Sequence, residues 1–259
     1  MRNLFLSLLG AGILLLAGCG GSSPVALPDS PDGTANTFIQ QILACNARVL
    51  WDAMPASYQK DAAGLVHQFG NKMDGEILEA GFGAIDKAVK LMESKKEFIL
   101  EALKGFMGEG EEHKKLAAHW TGITQIVKAV ASSDLRKADR LKNLDLGSFL
   151  GGKGSEILKH IKSISPMIAD DPFAQMPTFK FEAAGEPKDG IVPVQLRKKG
   201  EKQGRPEKFQ KVEGKWIVAE MAKDWPKMVA EATKSLEGMD LSKQKAEIMK
   251  GIAQVSEVL

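Results

Sequence analysis

Two cysteines, Cys19 and Cys45, are the residues with the clearest covalent chemistry in the sequence. In an exported protein, two such thiols could form one disulfide. The residues before Cys19 indicate export, because the basic Arg2 is followed by an apolar run over residues 4–16 and then by two small residues. This run is shorter than the roughly 20 residues that span a bilayer. Residues 1–18 are therefore predicted to be a cleaved export signal.

The four residues Leu16-Ala17-Gly18-Cys19 resemble the lipobox of bacterial lipoproteins, in register with the preceding export signal. The resemblance implies cleavage before Cys19, a diacylglycerol on the Cys19 sulfur, and a new amino terminus acylated with a fatty acid such as palmitate. Residue 20 is glycine rather than aspartate, which favours the outer membrane of the bacterial envelope, with the domain exposed to the periplasm or the cell surface. Several acyl chains anchor a protein without a spanning helix. The alternative is an ordinary secretory signal followed by a chance cysteine.

If Cys19 carries lipid, Cys45 has no disulfide partner. Cys45 shares one face of a predicted helix with Phe38, Ile42 and Val49, and this spacing predicts a small, buried apolar side chain. A reactive thiol is the alternative.

Tyr58, the only tyrosine, and Asp61 are the strongest candidates for reaction chemistry. They are three residues apart on a predicted helix, so both side chains lie on the same side. A phenol donor beside a carboxylate base could act as a catalytic pair. The alternative is structural, because an amphipathic tyrosine at the start of a helix with a solvated aspartate nearby gives the same pattern.

No catalytic residue, cofactor or metal site is predicted elsewhere in the sequence. The four histidines lack a recognised metal-ligand spacing. The glycine-rich stretch at residues 151–155 lacks the full spacing of a phosphate-binding loop.

Positive charge is concentrated between residues 197 and 208, where six basic residues stand against two acidic ones, a local net charge of +4. On the tip of a hairpin this cluster could contact anionic lipid headgroups or polyanionic surface sugars. A solvated loop that protects a sheet edge is the alternative. The basic residues are Arg197, Lys198, Lys199, Lys202, Arg205 and Lys208.

The elements that must position these residues are helical in the first part of the chain. The chain has 259 residues, 44% of them hydrophobic, and its net charge of +2 argues against nucleic acid as the main partner. Residues 19–33 lack apolar periodicity and predict a flexible tether. Apolar residues then recur with a helical period over residues 34–168. The predicted helices cover about residues 34–54, 56–73, two segments within 75–108, 114–130 and 155–168, and residues 147–154 are predicted as a glycine-rich loop.

In residues 169–259 the apolar period changes to two, which predicts about four strands. Glu213-Gly214 is typical of a two-residue hairpin turn between the last two strands, predicted at 206–212 and 215–221. A C-terminal helix is predicted from Pro226, with a break near Gly238. Helices followed by an antiparallel meander and a final helix predict the α+β class. Residues 34–259 form either one domain or a helical part followed by a sheet part.

Two stretches are similar to the nuclear transport factor two-like cone, a curved antiparallel sheet wrapped by helices. They are Val-Leu-Trp-Asp-Ala-Met-Pro at residues 49–55 and Val-Glu-Gly-Lys-Trp-Ile-Val at residues 212–218. The resemblance implies an apolar cavity, which some members use for catalysis with an acidic base and a tyrosine donor. Tyr58 and Asp61 are the candidates for those roles. A long helical stretch separates the two segments, whereas typical members have shorter helices.

Together these patterns favour a non-enzymatic lipoprotein whose domain binds an envelope protein or a small apolar ligand. The first alternative is a cone-type enzyme that uses Tyr58 and Asp61 on a small molecule. The second is a structural envelope protein that docks through the basic residues between 197 and 208.

Overall fold

Residues 23–201 and 204–259 are described by a computed structural model, so the predicted export signal, Cys19 and Lys202 lie outside the described residues. Helices come first, a four-stranded antiparallel sheet follows, and the chain ends in helix, which confirms the α+β class. The helices before the sheet are α1 (Pro31–Leu43), α2 (Arg48–Asp52), α3 (Ala56–Lys72), α4 (Gly75–Ser94), α5 (Lys96–Met107), α6 (Glu111–Ala131), α7 (Ala138–Leu141), α8 (Leu146–Phe149), α9 (Ser155–Ile164) and α10 (Pro172–Gln175).

Helix α1 begins earlier than predicted, at Pro31. Ser30 is its N-cap, and the Ser30 hydroxyl accepts a hydrogen bond of 3.1 Å from the backbone N–H of Gly33. Proline suits the first turn, because its φ is helical and its missing N–H has no partner there. Thr34, where the sequence predicts the first helix to begin, instead donates its hydroxyl to the carbonyl of Pro28 at 2.8 Å. The boundary between the predicted tether and the first helix therefore lies at Pro31, not after residue 33.

Helix α1 ends at Leu43 instead of continuing to residue 54, because the chain turns in a Schellman motif. The backbone N–H groups of Cys45 and Asn46 donate to carbonyls of the last turn, both at 2.9 Å. Cys45 has a φ of 59°, the left-handed conformation that glycine usually supplies at this position. The prediction that Cys45 lies on the face of a continuous helix is therefore wrong; it is half-buried beyond the end of α1.

The glycine-rich stretch at residues 147–154 is helical, which corrects the predicted loop. Residues Leu150–Gly154 form a π-helical turn that joins α8 to α9. Gly147 is buried against Trp51, and a Cβ atom on Gly147 would lie 2.8 Å from the Trp51 indole nitrogen. Glycine is thus required for the close approach of α8 to α2, so packing overrides the local loop signal.

The sheet is antiparallel, in the order β1-β2-β3-β4, and is curled into a half-barrel. Its strands are β1 (Phe179–Ala183), β2 (Ile191–Lys198), β3 (Arg205–Val212) and β4 (Lys215–Val218). Glu213 and Gly214, with φ of 49° and 78°, form the predicted two-residue turn. The strand pairing gives the sheet two ends. We call the end with the β2–β3 loop the hairpin end, and the end with the β1–β2 loop and the Glu213-Gly214 turn the closing-turn end.

Two helices follow the sheet, α11 (Ala219–Glu237) and α12 (Leu241–Val258), and they separate near Gly238 as predicted. Helix α11 starts directly after β4, where the sequence predicts strand to residue 221. Met221 and Trp225 are one helical turn apart, and both pack on Ile217 of β4. This contact stabilises helix at the start of α11.

Successive strand residues alternate between the two faces of the sheet, and helices pack on each face. Helix α1 covers the first face, and its Asn36 also holds β1. The Asn36 amide donates to the carbonyl of Phe181 at 2.8 Å and accepts from the N–H of Phe181 at 2.9 Å. Helices α3 and α11 cover the second face at β4. The first core comprises Ala35, Ile39, Phe181, Val194 and Phe209, and the second comprises Met54, Tyr58, Ile217, Met221 and Trp225.

Candidate functional site

Residues 23–30, here called the strap, precede α1 and lie against the domain. Val25 and Leu27 are half-buried beside a core of Ile42, Val49 and Phe173. The backbone N–H of Val25 also donates to Oδ2 of Asp52 at 2.8 Å. The part of the predicted tether that the structure describes is therefore docked on the domain.

A three-residue latch fixes the strap next to α1. The Asp29 carboxylate accepts hydrogen bonds from Nζ of Lys211 at 2.5 Å and from Nε1 of Trp216 at 3.2 Å. The Lys211 ammonium lies 5.5 Å from the centre of the Trp216 ring, within the range of a cation–π contact. The hydrogen bond from Lys211 lowers the pKa of Asp29, its positive charge lowers it further, and the hydrogen bond from Trp216 acts in the same direction.

A cleft of about 130 Å³ lies beside the latch. Ligand pockets for drug-sized molecules are about 300 Å³ or more. This cleft is therefore smaller than a pocket for a drug-sized ligand. It is lined by Leu27, Pro28, Asp29, Thr34, Lys211, Gly214, Lys215 and Trp216.

The latch holds the end of the strap at the closing-turn end of the sheet. Val25 packs on the same core as Met176. Thr178, two residues after Met176, accepts a hydrogen bond of 2.7 Å from the backbone N–H of Lys199, at the base of the β2–β3 loop. Asp52, which holds Val25, shortly precedes Ser57, whose backbone N–H donates to Oε2 of Glu213 at 2.9 Å, so contacts from the strap lead to both ends of the sheet.

Of the basic residues predicted as an anionic-surface contact, Arg197, Lys198, Lys199 and Arg205 lie at or next to the hairpin end, whereas Lys208 lies in the middle of β3 opposite Pro193. Arg197 Nε is 2.9 Å from Oε2 of Glu182, and Lys198 Nζ is 6.0 Å from the centre of the Phe179 ring. These two side chains therefore make contacts within the sheet. The side chains of Lys199, Arg205 and Lys208 are exposed, and Lys202 lies outside the described residues.

Tyr58 and Asp61 are brought together on a third residue, Trp225. The Tyr58 ring stacks on the Trp225 ring with 4.3 Å between centroids and 5° between planes. Asp61 Oδ2 accepts a hydrogen bond of 2.9 Å from Trp225 Nε1. Burial raises the pKa of Tyr58, and the charges of Glu213 and Asp61 raise it further. The arrangement joins α3 to α11.

The remaining titratable candidates make ordinary structural contacts. His67, His113 and His119 each have a ring nitrogen within 3.1 Å of a backbone carbonyl oxygen. Over residues 23–201 and 204–259, no group of three or more His, Cys, Asp or Glu side chains could hold a metal ion. Cys45 is a free thiol.

Sequence reasoning missed the latch, because Asp29 and Lys211 are 182 residues apart. One local signal was available: Pro28-Asp29-Ser30-Pro31 contains both an N-cap residue and a first-turn proline. This signal places the start of α1 at Pro31, and it leaves Asp29 next to the cap.

The fold defines an α+β protein with a helical first part, a curled four-stranded sheet and a docked strap. None of the helices in the part of the chain that the structure describes is long and apolar enough to cross a membrane. Neither a family model, nor a curated protein, nor a solved structure matches the chain. The lipoprotein and cone resemblances remain predictions.

Proposed function

We propose that this chain is a bacterial envelope lipoprotein, lipidated at Cys19 and held at the outer membrane. The observation that carries the proposal is the order of export signal, lipobox and folded domain along the chain. Ser23, the first residue that the structure describes, follows Cys19 by four positions. Cleavage before Cys19 would therefore leave the folded domain intact.

Two matched cysteine variants test the lipid attachment. Cells that express the full chain are labelled with a fatty acid, and the label is followed in the wild type, Cys19→Ala and Cys45→Ala. We expect label and membrane association in the wild type and in Cys45→Ala, and loss of both in Cys19→Ala. Label that persists in Cys19→Ala contradicts the proposal.

The domain itself has a binding role in this proposal, and an exposed apolar face on α5 supports it. Phe98 and Phe106 are 74% and 91% exposed, with the exposed Ala102 midway between them on the same helical face. Adjacent apolar side chains in water are typical of interaction sites. We assign this face to a protein of the envelope, because two exposed phenylalanines on one helical face suit an apolar surface of a protein partner.

A photo-crosslinking amino acid in place of Phe106 tests the α5 face in living cells. A discrete adduct with an envelope protein is expected. The matched control is the exposed Lys223 on α11, which should give no such adduct. Absence of an adduct at residue 106, or the same adduct at residue 223, contradicts this assignment.

A further inference from the structure

We infer that the exposed face of α5 binds an amphipathic α-helix of the partner, and that this helix carries a basic residue one turn before two apolar residues. The inference rests on the proposed function, which assigns the face to an envelope protein, and it adds the chemistry of that partner. The packing of α12 on α4 within this chain shows how such a helix is held.

Helices α4 and α5 are separated by a single residue, Lys95, and both lie along α6. Trp120 of α6 donates its indole N–H to the carbonyl of Met92, near the end of α4, at 2.9 Å. A ring nitrogen of His113, also on α6, lies 2.8 Å from the carbonyl oxygen of Leu100 on α5. Helix α6 therefore covers one side of both helices.

Helix α12 covers a second side of α4. Lys245 Nζ lies 3.0 Å from Oδ2 of Asp74 and 2.8 Å from Oε2 of Glu76, at the start of α4. Further along both helices, Nζ of Lys87 donates to the carbonyl of Ser256 at 2.8 Å. The contacts follow the same order on the two helices, so α12 runs parallel to α4.

The side of α12 that makes these contacts combines one positive charge with apolar side chains. Ile248 and Ile252 follow Lys245 by three and seven residues, which places all three on the same side of the helix. Both isoleucines are half-buried. A lysine followed by two isoleucines one turn apart is therefore sufficient chemistry to hold a helix against α4.

Helix α5 offers a comparable row without a helix on it. Leu100 is buried, and Phe98 and Ala102 stand two positions before and after it, on the opposite side of the helix. This side is open to solvent in the described part of the chain, since Phe98 and Phe106 are 74% and 91% exposed. The small side chain of Ala102 leaves space between the two rings for an apolar side chain of the partner.

An acidic edge beside this row suits the basic residue of the partner helix. Glu97 and Glu101 are exposed and one helical turn apart, and each directly precedes a residue of the row. Lys104 lies 3.5 Å from Glu101, whose side chain is still 74% exposed, just as Asp74 caps its own helix and still binds Lys245. The match is one of position along the row and not of net charge, because the same segment also contains Lys95, Lys96 and Lys104.

The same edge disfavours a second copy of this chain as the partner. Two α5 helices that pack antiparallel about a two-fold axis bring identical edges together. Glu97 and Glu101 of one copy would then face the same carboxylates of the other, and like charges across an interface are unfavourable. A different protein with a basic helix avoids this repulsion.

Binding is measured with a labelled peptide of residues 241–258, which supplies the row of Lys245, Ile248 and Ile252. A lactam bridge between the exposed Lys243 and Glu247 on its outer side keeps the peptide helical. The full chain in phosphatidylcholine nanodiscs is titrated into the peptide, and empty nanodiscs give the lipid background. We expect saturable binding to the wild-type chain; no binding above the lipid background overturns the inference.

Two matched double variants locate the peptide. Phe98→Ser/Phe106→Ser should weaken its binding about ten-fold or more, as expected for the loss of two central aromatic contacts. The control Ile168→Ser/Met228→Ser changes two exposed apolar side chains outside α5 and should keep the wild-type affinity. Equal affinity for the two variants would mean that the peptide binds elsewhere, for example in place of α12 on α4, and contradicts the inference.

An exchange of charges tests the acidic edge. Lys245→Glu in the peptide should weaken binding to the wild-type chain about three-fold or more, because the new carboxylate faces Glu97 and Glu101. Glu97→Lys/Glu101→Lys in the protein should restore the affinity for this changed peptide. If Lys245→Glu has no effect, or if the protein variant gives no rescue, the basic residue has no role and the inference is wrong.

Photo-crosslinking at residue 106 in cells separates this inference from the proposed function. An adduct with an envelope protein, together with a peptide that does not bind, refutes only the helical chemistry of the partner. A peptide that binds as expected, without an adduct in cells, refutes the assignment to an envelope protein and supports a helix-binding face. An adduct between two copies of this chain assigns the face to self-association and overturns the inference.

Discussion

Trp216 and Trp225 each donate an indole N–H to an aspartate, but the two pairs lie in different surroundings. Trp225 is buried, stacks on Tyr58, and donates to Asp61 at 2.9 Å. Trp216 is only half-buried and donates to the exposed Asp29 at 3.2 Å, beside Lys211. The same donor and acceptor therefore serve a core in one place and a surface latch in the other.

The difference follows from the availability of water. A buried indole N–H without an acceptor loses about 1–3 kcal/mol, since no water replaces the lost bond. At the latch, water can replace either partner, so an exposed pair contributes little to global stability. We therefore assign the Trp225 pair to the stability of the domain and the Trp216 pair to the position of the strap.

The largest expected effect is on Trp225. Trp225→Ala removes a buried aromatic side chain and the stack with Tyr58, and should lower the free energy of unfolding by about 3–5 kcal/mol. Trp216→Ala should cost clearly less. Urea unfolding followed by circular dichroism measures both values. Equal losses in the two variants would contradict the distinction between core and latch.

A smaller effect is expected at Asp61, which also decides between a structural and a catalytic role. Asp61→Ala leaves the Trp225 N–H without its acceptor and should cost about 1–3 kcal/mol. Asp61→Asn keeps an acceptor oxygen and should cost less. If neither variant changes stability, Asp61 does not hold the indole, and the catalytic alternative with Tyr58 gains support.

The smallest effect is a local pH dependence at the latch. The pKa of Asp29 is lowered by Lys211, so the contribution of the carboxylate is fully present above the ordinary pKa of about 4. It is lost as the pH falls through the lowered value in the folded state. The indole N–H resonance of Trp216 should therefore shift below about pH 4. Asp29→Asn is the control and should remove this titration; a shift that persists in Asp29→Asn contradicts the assignment.

Local sequence patterns predicted the elements whose causes are local. The Glu213-Gly214 turn, the helix after Pro55 and the break at Gly238 each depend on residues that are adjacent in sequence. The Schellman turn was missed because Cys45 occupies the position where glycine is the usual signal.

Elements that depend on distant contacts could not be predicted from local patterns. Residues 147–154 are helical because Gly147 packs against Trp51, and α11 starts early because Met221 and Trp225 pack on the sheet. The strap depends on Asp52 and on the latch. For the candidate site, therefore, the basic residues and the lipobox-like residues were visible in the sequence, whereas the docking of the strap on the domain was not.

The most direct test of this account is amide exchange at Val25, resolved by NMR in the full chain. The Val25 N–H donates to Asp52, so we predict exchange about ten-fold or more slower than in a free peptide. Exchange should accelerate toward the free-peptide rate in Asp52→Ala and, to a smaller extent, in Asp29→Ala. Exchange of wild-type Val25 at the free-peptide rate would contradict a docked strap.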